Sequence, residues 1–188
     1  MPKTLALIFA CWLILGSPAW AAEPQAAIDQ ASASLTKGDY TATIGNLREA
    51  LEAVWNLAPL SVRNATFVVE PPGGYGVYTP RAGDSFPSLE PLLLYCEPVG
   101  YTLKKTGDEY SSALTAGFAI LDEKGTLLGG QPNFGLYENK SRNFGTEYMM
   151  YLTFNLKGLP AGNYKLQVTL KDKNSTKTVT FEKPFSIK

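Results

Sequence analysis

The 188-residue sequence contains no histidine and only two cysteines, Cys11 and Cys96. Without histidine the chain cannot assemble a Ser-His-Asp or Cys-His catalytic group, or a zinc, iron or copper site with imidazole ligands. Its 17 basic residues balance its 17 acidic ones, which favours neither nucleic acid nor an anionic membrane as a partner. The sequence also lacks a phosphate-binding glycine loop and any metal-ligand spacing. We therefore expect a protein that is not an enzyme and that carries no cofactor and no metal.

The first 21 residues have the pattern of an export signal. Lys3 precedes an apolar run over residues 5–15, and Ala19 and Ala21 are the small residues that a signal peptidase reads. The run is short compared with the ~20 residues that cross a bilayer, so we expect cleavage near Ala21 and no stable membrane insertion afterwards. Cys96 would then be the one cysteine left, and a chain without an internal disulfide favours a bacterial periplasmic or secreted protein.

Residues 24 to 57 are predicted to form a helical hairpin. This segment is rich in alanine, and its apolar residues recur at helical spacing. Gly38 is predicted to end the first helix and Asp39 to cap the second, which ends before Pro59. The apolar stripe consists of Ile28, Ala31 and Leu35 in the first helix and Ile44, Leu47, Leu51 and Val54 in the second.

The turn of this hairpin resembles a known repeat. The segment 35–40, Leu-Thr-Lys-Gly-Asp-Tyr, with Ile44, Ala50 and Pro59, resembles the second half of a tetratricopeptide repeat. Arrays of this family need about three repeats, and no second copy follows at a ~34-residue period. We therefore expect one hairpin, whose apolar stripe docks onto the rest of the chain.

After Pro59 the pattern changes to the alternation that is typical of strands. The clearest example is 163–171, where Tyr164, Leu166, Val168 and Leu170 alternate with polar residues. Turn residues over 122–125 and 172–175 are predicted to close hairpin loops. The strands are predicted over 65–70, 76–79, 92–97, 114–120, 126–128, 133–138, 148–156, 163–171 and 176–187.

The segment 159–164, Leu-Pro-Ala-Gly-Asn-Tyr, is similar to the tyrosine corner of immunoglobulin-like and fibronectin-like domains. This resemblance implies an antiparallel immunoglobulin-like β-sandwich of seven to nine strands. The predicted fold class is α+β, with the N-terminal helical hairpin packed on the sandwich. The predicted organisation is a signal peptide (1–21), the hairpin (22–60) and the sandwich (61–188).

Several strands carry apolar residues on both faces, and a sheet of this kind is normally covered. Leu93 and Tyr95 lie on the outward side of one strand, and Met149 and Tyr151 on that of another. We expect the end of the hairpin, around Trp55, to cover them.

Candidate reactive groups are few. Cys96 shares a strand face with Leu92 and Leu94, which indicates a core cysteine without a catalytic role. Four acidic residues lie near loops and are predicted to be solvated, although two of them could in principle form a glycosidase pair. These acids are Glu70, Asp84, Glu90 and Glu97.

The segment from Glu70 to Pro87 is the predicted binding site. Its prolines and glycines shape a loop that offers Tyr75, Tyr78, Arg81 and Phe86, the residue types that occur in protein hot spots and sugar-stacking sites. The alternative is that the tyrosines cover one end of the sandwich and Arg81 pairs with Asp84. We expect a protein-interaction or adaptor module of the cell envelope, with a carbohydrate-binding module as the alternative function.

Overall fold

The computed structural model describes residues 24–188, so the predicted signal peptide and Cys11 lie outside the described residues. Helix α1 spans Pro24–Thr36 and helix α2 spans Tyr40–Leu57, which confirms the predicted hairpin. Gly38 adopts a φ of 72° at the turn, and the Asp39 carboxylate accepts the Ala42 N–H at 3.0 Å. Neither described helix has the length and hydropathy needed to cross a bilayer.

Strands account for most of the remainder, residues 61–188, which we call the strand-rich body. Within it the structure has nine strands. They are β1 (Ser61–Phe67), β2 (Ser85–Phe86), β3 (Leu92–Val99), β4 (Lys104–Thr106), β5 (Glu109–Asp122), β6 (Leu127–Ser141), β7 (Met150–Phe154), β8 (Gly162–Asp172) and β9 (Thr178–Ile187).

The strands form two sheets. The small sheet has the order β1-β3-β7 and is antiparallel throughout. The large sheet has the order β2-β9-β8-β5-β4, with β6 paired to β5. In the large sheet only β2 and β9 run parallel. The chain is therefore of the α+β class, as predicted, with its strands in a three-stranded and a six-stranded sheet.

One hydrophobic cluster contains residues from both sheets. Alternate residues of β3 and β7 point into it from the small sheet, and alternate residues of β5, β8 and β9 from the large sheet. Its fully buried members include Leu92, Leu94, Met150, Leu152, Phe154, Leu114, Leu166, Val168 and Leu170. The alternation that predicted the strands is therefore the alternation that fills the core.

Two turns follow the predicted chemistry. The Tyr164 hydroxyl donates a hydrogen bond to the Pro160 carbonyl at 2.8 Å, which is the contact expected of the corner at 159–164. The loop at 122–125 closes with Asp122 N–H bonded to the Thr126 carbonyl at 3.0 Å. The loop at 122–125 joins β5 to its partner β6, whereas the corner at 159–164 leads the chain from β7 of the small sheet to β8 of the large sheet.

Three predicted strands differ from the structure. The strands predicted at 126–128 and 133–138 form a single strand, β6, which begins at Leu127 and in which Pro132 lies at a register shift against β5. A Cβ atom on Gly117 of β5 would lie 2.3 Å from the Pro132 carbonyl oxygen, so this close crossing requires glycine. The predicted strand at 76–79 is instead part of a loop that contacts its neighbours through isolated bridges, such as Val68 with Pro80.

The hairpin contacts the strand-rich body at one end. Trp55 is buried and donates its indole N–H to the Tyr101 carbonyl at 2.8 Å, and its ring meets the Tyr101 ring edge-on at 5.2 Å. A Cβ atom on Gly100 would lie 2.4 Å from the Pro59 carbonyl oxygen, so the chain passes closely here. Further hydrogen bonds at this end join Tyr110 to Glu52, Leu103 to Asn56, and Lys177 to Asn56.

The prediction that the apolar stripe of the hairpin docks onto the sandwich is therefore wrong. Ile44, Leu47 and Leu51 are exposed, and Trp55 is the large apolar residue of α2 that is buried. The outward face of the small sheet is covered instead by the loop between β1 and β2, because Tyr78 of that loop stacks on Tyr95. The loop between β1 and β2 thus covers the face of the small sheet that we expected the hairpin to cover.

Candidate functional site

Tyr78, a predicted site residue, lies half-buried against the small sheet. Its ring stacks on the Tyr95 ring of β3 with a centroid separation of 4.2 Å and an interplanar angle of 27°. Its hydroxyl accepts a hydrogen bond from the Asn64 side chain at 2.8 Å. One ring face and the hydroxyl are therefore used within the protein.

Tyr75, another predicted site residue, is also half-buried. The Arg63 guanidinium donates a hydrogen bond to its hydroxyl and lies 5.7 Å from its ring centroid. The next residue in the loop, Gly76, donates its N–H to the Tyr95 hydroxyl at 2.8 Å. These contacts hold the loop onto β1 and β3.

Arg81 and Phe86 have structural partners. Phe86 has no exposed surface and belongs to the core, so its predicted role as a partner-binding residue is corrected. The Arg81 guanidinium lies 4.2 Å from the Phe86 ring centroid and pairs with Glu90 at 2.5 Å. The acid that pairs with Arg81 is thus Glu90 and not Asp84, the partner considered from the sequence.

Glu97 is buried in β3, so the prediction that it is a solvated loop acid is wrong. Its carboxylate accepts hydrogen bonds from the Arg63 Nε at 3.0 Å and from the Tyr95 hydroxyl at 2.7 Å. Burial by itself would raise the pKa of Glu97, but these hydrogen bonds and the Arg63 charge outweigh it and hold the pKa below its ordinary value. Desolvation, with the carboxylate alongside, raises the pKa of Tyr95 to about 12.

The sequence contained one signal for this cluster. Tyr95 and Glu97 are two residues apart in a strand, so both side chains lie on its outward face. An acid that is covered next to an aromatic ring requires a cationic partner, because burying an unpaired charge is costly. Arg63 supplies that partner from β1, the neighbouring strand. The Glu97 carboxylate is already hydrogen-bonded to Arg63 and Tyr95. The cluster therefore holds the loop between β1 and β2 onto the small sheet.

Cys96 is buried and forms no disulfide, which agrees with its predicted core position. Desolvation raises the pKa of its thiol to about 12. The other buried carboxylate, Asp172, accepts hydrogen bonds from Thr102 N–H, Asn174 N–H and the Ser175 hydroxyl at 2.7, 2.8 and 2.8 Å. Over residues 24–188, no three cysteine or carboxylate side chains are grouped as metal ligands would be.

Most of the large apolar side chains that are exposed within residues 24–188 lie on the helical hairpin. Eight large apolar side chains of α1 and α2 are exposed, and one of them, Leu57, is the last residue of α2. The other seven include Tyr40 at 68%, Ile44 at 61% and Leu47 at 52% of their full surface. We call these seven residues the hairpin face. Its members are Ile28, Leu35, Tyr40, Ile44, Leu47, Leu51 and Val54.

The hairpin face is exposed because α1 and α2 meet through small residues. Ala27 and Ala31 of α1 and Thr43 and Ala50 of α2 are buried, and the Asn46 side chain donates to the Ser34 hydroxyl at 3.0 Å. At 3.6 residues per turn, the large apolar residues of each helix lie to one side of this small-residue contact. In an antiparallel pair both stripes fall on the same side, so they form one continuous surface.

We compared the chain with known proteins. No family model matches it, and no curated protein matches it. A structure of the Pseudomonas fluorescens alkylpurine DNA glycosylase AlkC bound to DNA is similar at 8% identity and a TM-score of 0.36, over 79% of this chain and 38% of that one. A family 123 glycoside hydrolase from Clostridium perfringens is similar at 9% identity and a TM-score of 0.38, over 70% of this chain and 27% of that one.

Both of these similar structures are enzymes. This finding overturns the prediction that the chain is not an enzyme, and we withdraw that prediction. The chain spans well under half the length of either structure, and with TM-scores below 0.5 neither one carries an argument about the substrate or activity of this chain.

Proposed function

We propose that the chain is a protein-interaction module of the bacterial cell envelope and that it binds its partner through the hairpin face. The observation that carries the proposal is the exposure of all seven large apolar residues of that face. Taking a fully exposed residue of this size at roughly 200 Å², they expose on the order of 700 Å². The largest apolar patch on a typical soluble monomer is about 300–600 Å², and larger ones usually bind something.

The shape of the face favours protein over other ligands. Tyr40, Ile44, Leu47, Leu51 and Val54 follow the 4-3-4-3 spacing with which one helix packs against another. None of the seven residues is charged, so the face offers an apolar surface of low polarity that a second apolar surface can cover. The loop around Tyr75 and Tyr78 is not part of this proposal, because its rings and hydroxyls already have partners within the protein.

The fold and the location belong to the same proposal. We infer that the strand-rich body is an immunoglobulin-like sandwich, supported by its antiparallel strands and by the hydrogen bond from Tyr164 to Pro160. We infer export from the signal-like pattern of residues 1–21. The second ground is that Cys96, the one cysteine after that segment, forms no disulfide. A mass spectrum of the protein purified from the cell envelope checks the export step, since cleavage near Ala21 fixes the mass of the exported chain.

Site-specific photo-crosslinking tests the proposed surface. A photoreactive amino acid at Leu47 is expected to crosslink the chain to a protein in intact cells. The matched control carries the same group at Ala33, an exposed residue that helical spacing places opposite the face on α1. Crosslinks from both positions at equal yield, or from neither, would contradict the proposal.

A further inference from the structure

We infer that the partner of the hairpin face is a second copy of this chain, so that two hairpins pack face to face as a four-helix bundle. This inference rests on the proposed function and names its partner. Three properties of the hairpin face favour a copy over an unrelated protein: its area, its lack of charge and its position in the molecule.

The area is that of a stable interface. The hairpin face exposes on the order of 700 Å². Each partner in a standard protein complex buries about 800 Å², which is a similar area. Helix α2 is 18 residues long, and the face extends along it from Tyr40 to Val54. Two such hairpins bury both helices of each copy, as in four-helix bundles with short connections.

The face is compatible with itself. In a two-fold symmetric interface the same patch meets its own copy, so charges of one sign within the patch would repel. The exposed charged residues of α2, Arg48 and Glu49, lie outside the seven residues of the face. An uncharged patch with helical spacing can therefore meet its copy without an unpaired charge.

The position of the face leaves room for a copy. The hydrogen bonds that join the described hairpin to the strand-rich body involve Glu52, Trp55 and Asn56, all near one end of α2. The apolar residues of α2 before the junction, Tyr40, Ile44 and Leu47, are exposed. Leu47 lies midway between Tyr40 and Val54, so it meets its own copy when α2 packs antiparallel on α2 of the second chain.

The experiment measures the mass of the exported protein in solution by sedimentation equilibrium between 1 and 100 μM. We expect a dimer. Leu47→Glu places a carboxylate in the centre of the interface and is expected to weaken the dimer by about 100-fold or more. Ala33→Glu adds the same charge on the opposite side and is expected to leave the dimer unchanged, and circular dichroism confirms that both variants are folded.

A disulfide test locates the contact. Leu47→Cys is expected to form an intermolecular disulfide under mild oxidation, while Ala33→Cys is not, and buried Cys96 does not compete. A protein that stays monomeric at 100 μM, or a dimer that persists in Leu47→Glu, would overturn the second-copy inference. If the monomer still crosslinks through Leu47 to another protein, the inference fails and the proposed function stands. If it crosslinks to nothing, both fail.

Discussion

Glu97 shows, at the scale of a single residue, how an acid can be buried without loss of charge. Its side chain is 7% exposed, and it accepts hydrogen bonds from the guanidinium of Arg63 and the hydroxyl of Tyr95. Arg63 itself is 62% exposed, so water keeps solvating the cation while the carboxylate is buried. The pair therefore avoids most of the desolvation cost of a fully buried ion pair.

Acid should weaken the fold partly through this residue. Because the pKa of Glu97 is lower in the folded protein than its ordinary 4.5, the folded state favours the carboxylate form. The resulting stability is present above the unfolded pKa and is lost as the pH falls through the folded pKa. We expect urea midpoints of the wild type to fall between about pH 5 and 3, because this range spans the ordinary pKa of 4.5 and the lower values to which the fold shifts it.

The variant Glu97→Gln keeps the size of the side chain and removes its titration. We expect it to lower stability at pH 7 by about 1–2 kcal/mol, because a hydrogen bond to a charged group becomes one to a neutral amide. Its midpoint should then depend less on pH than that of the wild type. Asp122 and Glu182, whose pKa values are also lowered, should supply the remaining acid sensitivity. Parallel pH profiles for the two proteins would show that Glu97 does not contribute.

The loop between β1 and β2 shows, at the scale of an element, how binding and structural roles can be separated. Tyr78→Ala removes the stacking on Tyr95 and leaves the Asn64 amide without its acceptor. We expect a loss of about 2 kcal/mol in the free energy of unfolding, measured by urea denaturation. Val77→Ala is the matched control, because Val77 is 62% exposed and its truncation should change little.

The same variant distinguishes the loop from the hairpin face as a binding site. Because Tyr78 belongs to the cover of the small sheet, Tyr78→Ala should leave photo-crosslinking from Leu47 unchanged. A variant of normal stability that no longer crosslinks would reverse this assignment and return the binding role to the loop.

Strand prediction succeeded where alternation was uninterrupted. The predicted strand at 163–171 lies within β8, because its apolar residues all enter one core. It failed in β6, where Gly129, Gly130 and Pro132 break the alternation. The two glycines nevertheless pair with β5, and Pro132 lies at a register shift. Such a bulge depends on the partner strand, here on the absence of a side chain at Gly117, and a single segment does not reveal it.

The helices show a different limit of the sequence. Periodicity predicted both helices and the apolar stripe of α2, and the caps at Gly38 and Asp39 predicted the turn. The pattern indicates that a surface needs covering, but it does not say what covers it. The alanines now buried between the helices could have predicted the exposed stripe. They let the two helices pair closely without burying Leu47 or Leu51.

At the scale of the whole molecule, the two parts differ in how they are stabilised. The strand-rich body has one hydrophobic cluster between its sheets, whereas the hairpin buries mainly small side chains between its helices. Short helices are marginal in water without tertiary packing. The hairpin is therefore expected to depend on the contact at Trp55 and on whatever covers the hairpin face.

This difference predicts unfolding in two steps. In the chain from Ala22 onward Trp55 is the only tryptophan, so its fluorescence reports the junction between hairpin and body. We expect the fluorescence and the helical circular dichroism at 222 nm to change at a lower urea concentration than the tyrosine signal of the strand-rich body.

If a second copy covers the hairpin face, the first midpoint should rise with protein concentration, because association stabilises only the folded hairpin. Leu47→Glu should remove that concentration dependence, and Ala33→Glu should retain it. Transition curves that superimpose for all probes and all concentrations would show instead that hairpin and body unfold as one cooperative unit, held together by the Trp55 junction alone.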